Sequence, residues 1–265
     1  MLRLERAIKQ TAGHAPVVPN MWPVLADRQV QVRRGEVSVI AGPPGCGKST
    51  LALALTVRSQ SPALYISADT HAHTMSLRLL AMLANRNQSD IEPVMLTHPE
   101  WCEQTLQQAA HIRWCFDSAP NMRSIDDELT AYEELYGDTP DLVVIDNLTD
   151  VVGDQGGDEW GGMRSLMKDF KHLARQHDTA VLVLHHTSEG YQLPEGFCPP
   201  MRALQGKVAQ TPALVLTLAQ GQPGVLLVCP VKSRYGPSAP GGGDPSWLGY
   251  NPASMQIYDP SEGQR

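Results

Sequence analysis

An unbroken phosphate-binding loop motif constrains this chain more than any other feature of its sequence. Residues 42 to 49 match the pattern G-x-x-x-x-G-K-[ST], with a β-branched apolar run before them and a run of good helix formers after them. Glycines let the backbone N–H groups of such a loop turn toward a phosphate, and the helix N-terminus adds partial positive charge. The motif predicts a nucleotide site made by Gly42, Pro43, Pro44, Gly45, Cys46, Gly47, Lys48, Ser49 and Thr50.

A second motif predicts the partner of this loop. Four apolar residues at positions 142 to 145 precede Asp146, which is the pattern of a buried parallel strand ending in an acid. Ligands collect at the carboxyl ends of strands in open parallel sheets. We therefore expect Lys48 to reach the β- and γ-phosphates of ATP, and Ser49 and Asp146 to hold Mg²⁺.

Composition limits the class of protein. The chain has 265 residues, 42% of them hydrophobic, and contains no run of the ~20 apolar residues that a membrane span needs. Its five scattered cysteines include no C-x-x-C pair, which favours reduced thiols over disulfides or zinc. We expect a cytoplasmic protein with no membrane partner, in which residues 1 to 25 form an N-terminal arm and residues 26 to 265 form one domain.

Strand and helix patterns alternate along the chain. They predict an α/β fold with a mostly parallel central sheet flanked by helices and a C-terminal β hairpin or tail. The glycine-rich residues 151 to 162 and the Pro- and Gly-rich residues 187 to 207 are predicted to be loops. The last residues, with a short strand near 255 to 258, are predicted to be peripheral.

The order of these motifs resembles the RecA-fold core of DnaB-like replicative helicases over residues 30 to 237. Three local matches carry the resemblance: Ser67-Ala68-Asp69-Thr70 before an Arg-Leu-Leu helix, "KDFKHLAR" at residues 168 to 175, and Lys232-Ser233-Arg234-Tyr235-Gly236-Pro237. The strand ending His185-His186-Thr187-Ser188 is closer to small RepA-type hexameric helicases of plasmids and phages. The resemblance implies a phage or plasmid protein that works in the cytoplasm of a bacterial host.

The resemblance also implies roles for individual residues. Asp69 stands where the family has a catalytic glutamate that orients the attacking water, and aspartate is one methylene shorter. One histidine of the pair stands at the position of a γ-phosphate sensor, and His186 is favoured over His185. Lys232 and Arg234 match residues that act on the nucleotide of an adjacent subunit, which implies a homo-oligomer, in this family usually a hexameric ring.

Contact with single-stranded DNA is a further implication of the resemblance. In RecA-like rings, two loops face the central hole, and here they correspond to residues 151 to 162 and 187 to 207. The first loop is acidic. The second contains Tyr191, Phe197, Arg202 and Lys207, which suit sequence-tolerant binding through phosphate contacts and base stacking. The net charge of −7 would ordinarily oppose DNA binding, but the acidic residues concentrate between Asp117 and Asp158, so a ring with a basic inner surface and an acidic exterior is compatible with a DNA partner.

Four functions remain open at this point. The first is a DNA-dependent ATPase of the DnaB/RepA-like helicase type, acting on single-stranded DNA in replication or recombination. The second is a RecA-like recombinase or mediator that forms filaments. The third is a metal-dependent DNA nuclease that uses Asp146, Asp150 and Asp154. The fourth is a signalling or clock-type ATPase that does not bind DNA.

Overall fold

A nine-stranded sheet forms the centre of the computed structural model, which describes residues 17–19, 21–153, 159–188 and 193–262. Its strands are β1 (Val37–Gly42), β2 (Ala63–Ser67), β3 (Ile112–Cys115), β4 (Leu142–Asp146), β5 (Ala180–His186), β6 (Leu214–Gln220), β7 (Val225–Ser233), β8 (Ser246–Asn251) and β9 (Gln256–Tyr258). Their order in the sheet is β3-β2-β4-β5-β1-β6-β7-β8-β9. The strands from β3 to β6 in this order are parallel, and β7, β8 and β9 are antiparallel.

Helices connect the parallel strands and cover both faces of the sheet. They are α1 (Pro23–Ala26), α2 (Lys48–Ser59), α3 (Ala72–Ala84), α4 (Gln88–Thr97), α5 (Pro99–Leu106), α6 (Met122–Tyr136) and α7 (Glu159–Gln176), and short 3₁₀ turns include Leu148–Asp150, Met201–Ala203 and Gln205–Gln210. On one face, α1, α2 and α3 pack against a core that includes Ile40 and Tyr65. On the other face, α6 and α7 pack against Val39 and Ile145. The predicted α/β fold with a mostly parallel sheet is confirmed.

Strand register brings the predicted motifs to one edge of the sheet. The last residue of β1, Gly42, is opposite His186 at the end of β5, and Ser67 at the end of β2 is opposite Asp146 at the end of β4. Because the parallel strands all end at this edge, short loops after them place their side chains around the phosphate-binding loop.

The described part of the predicted N-terminal arm belongs to the main core. Trp22 and Leu25 are fully buried, and they share a core cluster with residues of α2 and of the sheet. The backbone N–H of Val17 also donates to the carbonyl of Val32 at 2.9 Å. Residues 1 to 16 lie outside the described residues, so the arm itself stays a prediction.

Two sequence predictions about loops and tails are wrong. The predicted loop at residues 151 to 162 ends early, because α7 begins at Glu159, and residues 154 to 158 lie outside the described residues. The predicted short strand near residues 255 to 258 is confirmed as β9, but this end of the chain is not peripheral, because β8 pairs with β7 and β9 pairs with β8. Glycine content lowered the apparent helical signal in the first case, and the second depends on pairing between distant strands.

Candidate functional site

The phosphate-binding loop joins β1 to α2 as the motif predicts. Gly45 and Gly47 have φ values of 71° and 102°, which L side chains rarely adopt. A Cβ on Gly47 would also lie 3.4 Å from the ring of Tyr250. Both glycines are therefore required by the backbone conformation, and Gly47 is additionally limited by a contact with β8.

Lys48 is held inside the loop by backbone carbonyl groups. Its ammonium nitrogen donates to the carbonyl oxygens of Gly42 at 3.1 Å and Pro43 at 3.0 Å. Burial lowers the pKa of Lys48, and the nearby carboxylates of Asp146 and Asp69 partly oppose that shift. The charged amine is thus already positioned over the loop, in a place where an anion would offset the cost of its burial.

Asp146 and Ser49 form the candidate cation site. Burial raises the pKa of Asp146, while hydrogen bonds from Ser49 and Tyr65 lower it, with the Tyr65 hydroxyl 2.9 Å from the carboxylate. A buried carboxylate next to a hydroxyl suits a hard divalent cation that takes its remaining ligands from phosphate and water. These two side chains therefore fit the Mg²⁺ that the motif predicts.

Asp69 and His186 are close to Lys48 at the same edge, and Asp150 is close enough to both of them to affect their charges. Asp69 lines the cleft together with Lys48 and His186. The ammonium nitrogen of Lys48 is 3.3 Å from Nδ1 of His186. Burial and Lys48 lower the pKa of His186, whereas Asp150 and Asp69 oppose this shift. Burial and the charge of Asp69 raise the pKa of Asp150.

The two histidines of the strand ending have different surroundings. His186 is at the cleft, whereas His185 is fully buried, and burial lowers its pKa to about 4. This placement agrees with the preference for His186 as the sensor, although the catalytic role itself remains a proposal.

The cleft has a volume of about 390 Å³ and is partly built from residues that the sequence did not reveal. One part of its wall comes from Tyr250, Pro252 and Met255 at the C-terminal strands. The sulfur of Met255, for example, lies 3.8 Å from the hydroxyl of Thr50 in α2. The unpredicted lining residues are Thr70, Arg78, Gln88, Asn147, Tyr250, Pro252 and Met255. Of the predicted loop residues, Cys46 is buried against Gly42 and does not line the cleft.

Lys232 and Arg234 lie at the opposite edge of the sheet from this cleft. Ser233 is paired with Leu214, which in turn is paired with Ser38 near the start of β1, while the phosphate-binding loop follows the end of β1. Four residues of strand separate the two levels, or about 13 Å. Lys232 donates to the carbonyl oxygens of Ala209 at 2.7 Å and Gln210 at 2.9 Å. Neither residue lines the cleft of its own chain.

The predicted DNA-contacting residues follow β5. Arg202 and Lys207 are exposed, and Phe197 is 37% exposed, whereas Tyr191 lies outside the described residues. The bridge between Thr187 and Leu204 holds this segment next to the end of β5. Arg202 is therefore close to the strand that ends in His186.

The described residues do not support the nuclease hypothesis, which requires a cluster of metal ligands. Among the described residues, no group of three or more His, Cys, Asp or Glu side chains could hold a metal ion. Asp154, the third carboxylate of that hypothesis, lies outside them.

The helices of the described ranges include none that is long and apolar enough to cross a bilayer.

The part of the chain that carries the phosphate-binding loop, Asp146 and His186 matches a known protein family. Residues 30–192, more than half of the chain, match the family model described as an AAA domain. The chain belongs to this AAA-domain family. Two phage relatives match most of the AAA-domain protein: Gene 65 protein of Mycobacterium phage L5 is 31% identical over 95% of this chain and 96% of its own length, and Gene 65 protein of Mycobacterium phage D29 is 33% identical over 84% and 98%.

Solved structures share the fold of this AAA-domain protein. A DnaB-like replicative helicase, studied for its interactions with primase, has a TM-score of 0.81 and 16% identity over 96% of this chain and 66% of that chain. A second solved structure, described as an ATPase domain, has a TM-score of 0.80 and 16% identity over 97% of this chain and 95% of that chain. The predicted resemblance to a RecA-like helicase core is confirmed at the level of fold.

Proposed function

We propose that this AAA-domain protein is a DNA-dependent ATPase of the DnaB/RepA-like helicase type that hydrolyses MgATP at the interfaces of a homo-oligomer. One observation carries the proposal. Lys48, Asp69 and His186 meet in one cleft, whereas Arg234 lies at the far edge of the sheet. A charge that stabilises the γ-phosphate from that edge acts only on the nucleotide of another subunit.

The chemistry follows from the groups around the cleft. The loop N–H groups bind the phosphates, and Lys48 exchanges the carbonyls of Gly42 and Pro43 for phosphate oxygens. Asp69 orients the attacking water and accepts its proton, and His186 senses the γ-phosphate. Mg²⁺ held by Ser49 and Asp146 would neutralise phosphate charge. Water attacks the γ-phosphorus, the bond from that phosphorus to the oxygen of the leaving ADP breaks, and Arg234 of a neighbour supplies the remaining positive charge for this step.

A ring is the proposed assembly. When one edge of a subunit carries the nucleotide and the opposite edge carries Lys232 and Arg234, repeated head-to-tail contacts join unlike surfaces. Such contacts close into a ring, usually of six subunits in the family that this chain resembles, or continue as a filament. The closed ring belongs to the helicase proposal, and the filament belongs to the recombinase alternative.

Single-stranded DNA is the proposed partner of the segment after β5. Arg202 and Lys207 are exposed there, and the segment follows directly from the strand that ends in His186. Movement of His186 on hydrolysis would therefore reach Arg202 through Thr187 and its bridge to Leu204. Basic side chains would follow the phosphate backbone without reading sequence.

The test is the steady-state rate of MgATP hydrolysis with and without single-stranded DNA. Wild-type protein should show several-fold stimulation by DNA, and Lys48→Ala should abolish hydrolysis in both conditions. An Arg202→Ala/Lys207→Ala variant should keep the basal rate and lose the stimulation. A wild-type rate that DNA leaves unchanged would refute the DNA-dependent function, and electron microscopy showing filaments in place of rings would favour the recombinase.

A further inference from the structure

Glu36 lies next to Arg234 at the sheet edge away from the nucleotide cleft. It directly precedes β1, and its backbone carbonyl accepts a hydrogen bond from the N–H of Val181 at 3.1 Å. The Glu36 side chain is only 17% exposed, while the Arg234 side chain is 40% exposed. Nη1 of Arg234 lies 3.3 and 3.4 Å from the two carboxylate oxygens of Glu36. A fixed, mostly buried carboxylate thus anchors a more exposed guanidinium.

Tyr235 adds a second contact to the same carboxylate. Its hydroxyl is 3.4 Å from Oε1 of Glu36, and the guanidinium carbon of Arg33 lies 4.3 Å from the centre of its ring. Ser233 Oγ accepts hydrogen bonds from the backbone N–H groups of Tyr235 at 3.2 Å and Gly236 at 2.9 Å. The backbone on both sides of Arg234 is therefore ordered, and Glu36 orders the side chain.

The close passage of Gly236 fixes this segment further. A Cβ on Gly236 would lie 2.5 Å from the carbonyl oxygen of Arg28, so a larger residue would push the segment away from the domain. The backbone N–H of Arg234 also donates to the carbonyl of Ala213 at 3.0 Å. These contacts place the base of the Arg234 side chain at one point of the edge.

Several guanidinium groups surround Glu36. A cleft of about 430 Å³ at this edge is lined by Arg33, Arg34, Arg175 and Tyr235, and by the acidic Asp178 in addition to Glu36 itself. Like charges repel, and an arginine side chain has many rotamers, so Arg234 without Glu36 would sample many orientations. The carboxylate of Glu36 offsets this repulsion and selects one of them.

We infer that Glu36 is a positioning residue for Arg234 in the reaction between subunits. This inference rests on the proposed function, in which Arg234 acts on the nucleotide of a neighbour. Glu36 contacts only Nη1, and within the described part of the chain Nε and Nη2 of Arg234 have no other hydrogen-bond acceptor. These two nitrogens are free to bind phosphate oxygens of the adjacent subunit. Glu36 thus prepares Arg234 before the neighbour's nucleotide arrives.

The experiment measures kcat and KM for MgATP and the Kd for nucleotide in Glu36→Gln and Glu36→Ala. Both variants should lower kcat about three- to tenfold, because a partly exposed ion pair contributes modestly and a misplaced group loses much of its effect. Nucleotide Kd and oligomer size should stay unchanged, since Glu36 does not line the cleft. Asp141→Asn is the matched control, because Asp141 pairs with Arg34 at the same edge without contacting Arg234. It should keep the wild-type kcat.

Mixed oligomers separate this inference from the proposed function. Lys48→Ala subunits cannot hydrolyse ATP, but they carry an intact Arg234 and Glu36. Mixed with Arg234→Ala subunits, they should restore hydrolysis, and mixed with Glu36→Ala subunits they should raise kcat per intact loop. No restoration with Arg234→Ala would overturn both the function between subunits and the role of Glu36. Restoration there, combined with a wild-type kcat for Glu36→Ala or no rescue of it, would overturn the inference alone.

Discussion

The ammonium nitrogen of Lys48 lies 3.3 Å from Nδ1 of His186, which connects the phosphate-binding loop directly to the end of β5. Lys48 carries only donors, so Nδ1 of His186 accepts this hydrogen bond in a neutral ring. Burial and Lys48 lower the pKa of His186, which keeps that ring neutral. A phosphate that attracts Lys48 would break this contact, so His186 is placed to respond to nucleotide binding.

The contact predicts different effects for two substitutions at His186. His186→Ala should lower kcat for ATP hydrolysis by about 10²-fold, because it removes a polar group at the γ-phosphate position. His186→Gln should keep most of the rate, since glutamine retains a hydrogen-bonding side chain of similar length. Steady-state kinetics of both variants check this, and equal loss in the two would contradict a sensor role based on hydrogen bonding.

We predict that β8 contributes to nucleotide binding through the side chain of Tyr250. Its ring packs against Gly47 and lines the cleft. Tyr250→Ala should weaken nucleotide binding about three- to tenfold, the range expected for losing one aromatic contact. Calorimetric titration with a non-hydrolysable ATP analogue measures this change. Tyr258→Ala is the control, because Tyr258 lies on the other face of the hairpin, is 51% exposed and should leave the Kd unchanged.

We predict that the Asp146 carboxylate destabilises the ligand-free protein, although nucleotide binding requires it. Its raised pKa means that the folded state disfavours the charged carboxylate at neutral pH, so the charge destabilises the nucleotide-free protein and acidification relieves that cost. Asp146→Asn should therefore melt at a higher temperature than wild type without ligand. Wild type should gain about 2.7 kcal/mol from MgATP analogue at 100-fold its Kd, and the variant should gain little. Thermal unfolding curves measure both effects, and a less stable ligand-free variant would contradict the first.

We predict that the burial of His185 makes the free energy of unfolding decrease in acid. Its pKa is lowered from 6.5 to about 4 by burial, so below pH 6.5 the unfolded chain binds a proton that the folded protein does not. The contribution of neutral His185 to the free energy of unfolding is fully present above pH 6.5. It decreases by about 3 kcal/mol as the pH falls toward 4. Urea unfolding at pH 7.5 and pH 5 should show a smaller loss for His185→Gln than for wild type. An identical loss in both proteins would contradict this assignment.

Local motifs predicted the part of the site that is made from neighbouring residues in the sequence. The loop at residues 42 to 49, Asp146 at the end of β4 and His186 at the end of β5 all lie where their patterns place them. Each of these side chains follows a buried parallel strand, and the ends of such strands meet at one edge. The central sheet was predictable for the same reason.

Contacts between distant parts of the chain could not be predicted in this way. Tyr250 and Met255 reach the cleft because β8 and β9 extend the sheet by antiparallel pairing, and no local pattern encodes that pairing. The sequence suggested Asp150 only as a ligand of the nuclease hypothesis, yet the 3₁₀ turn Leu148–Asp150 places it near Asp69 and His186. The role of Glu36 could not be predicted either, because its contact with Arg234 depends on the end of β7 lying level with the start of β1.

The central claim is that each active site requires a second subunit, and the most direct test is hydrolysis per subunit as a function of protein concentration. The account predicts that specific activity rises with concentration as oligomers form and vanishes on dilution to the monomer, while a fluorescent nucleotide still binds at the same Kd. Light scattering at each concentration gives the oligomeric state. A specific activity that stays constant when scattering shows only monomer would contradict the account, because Arg234 cannot reach the cleft of its own chain.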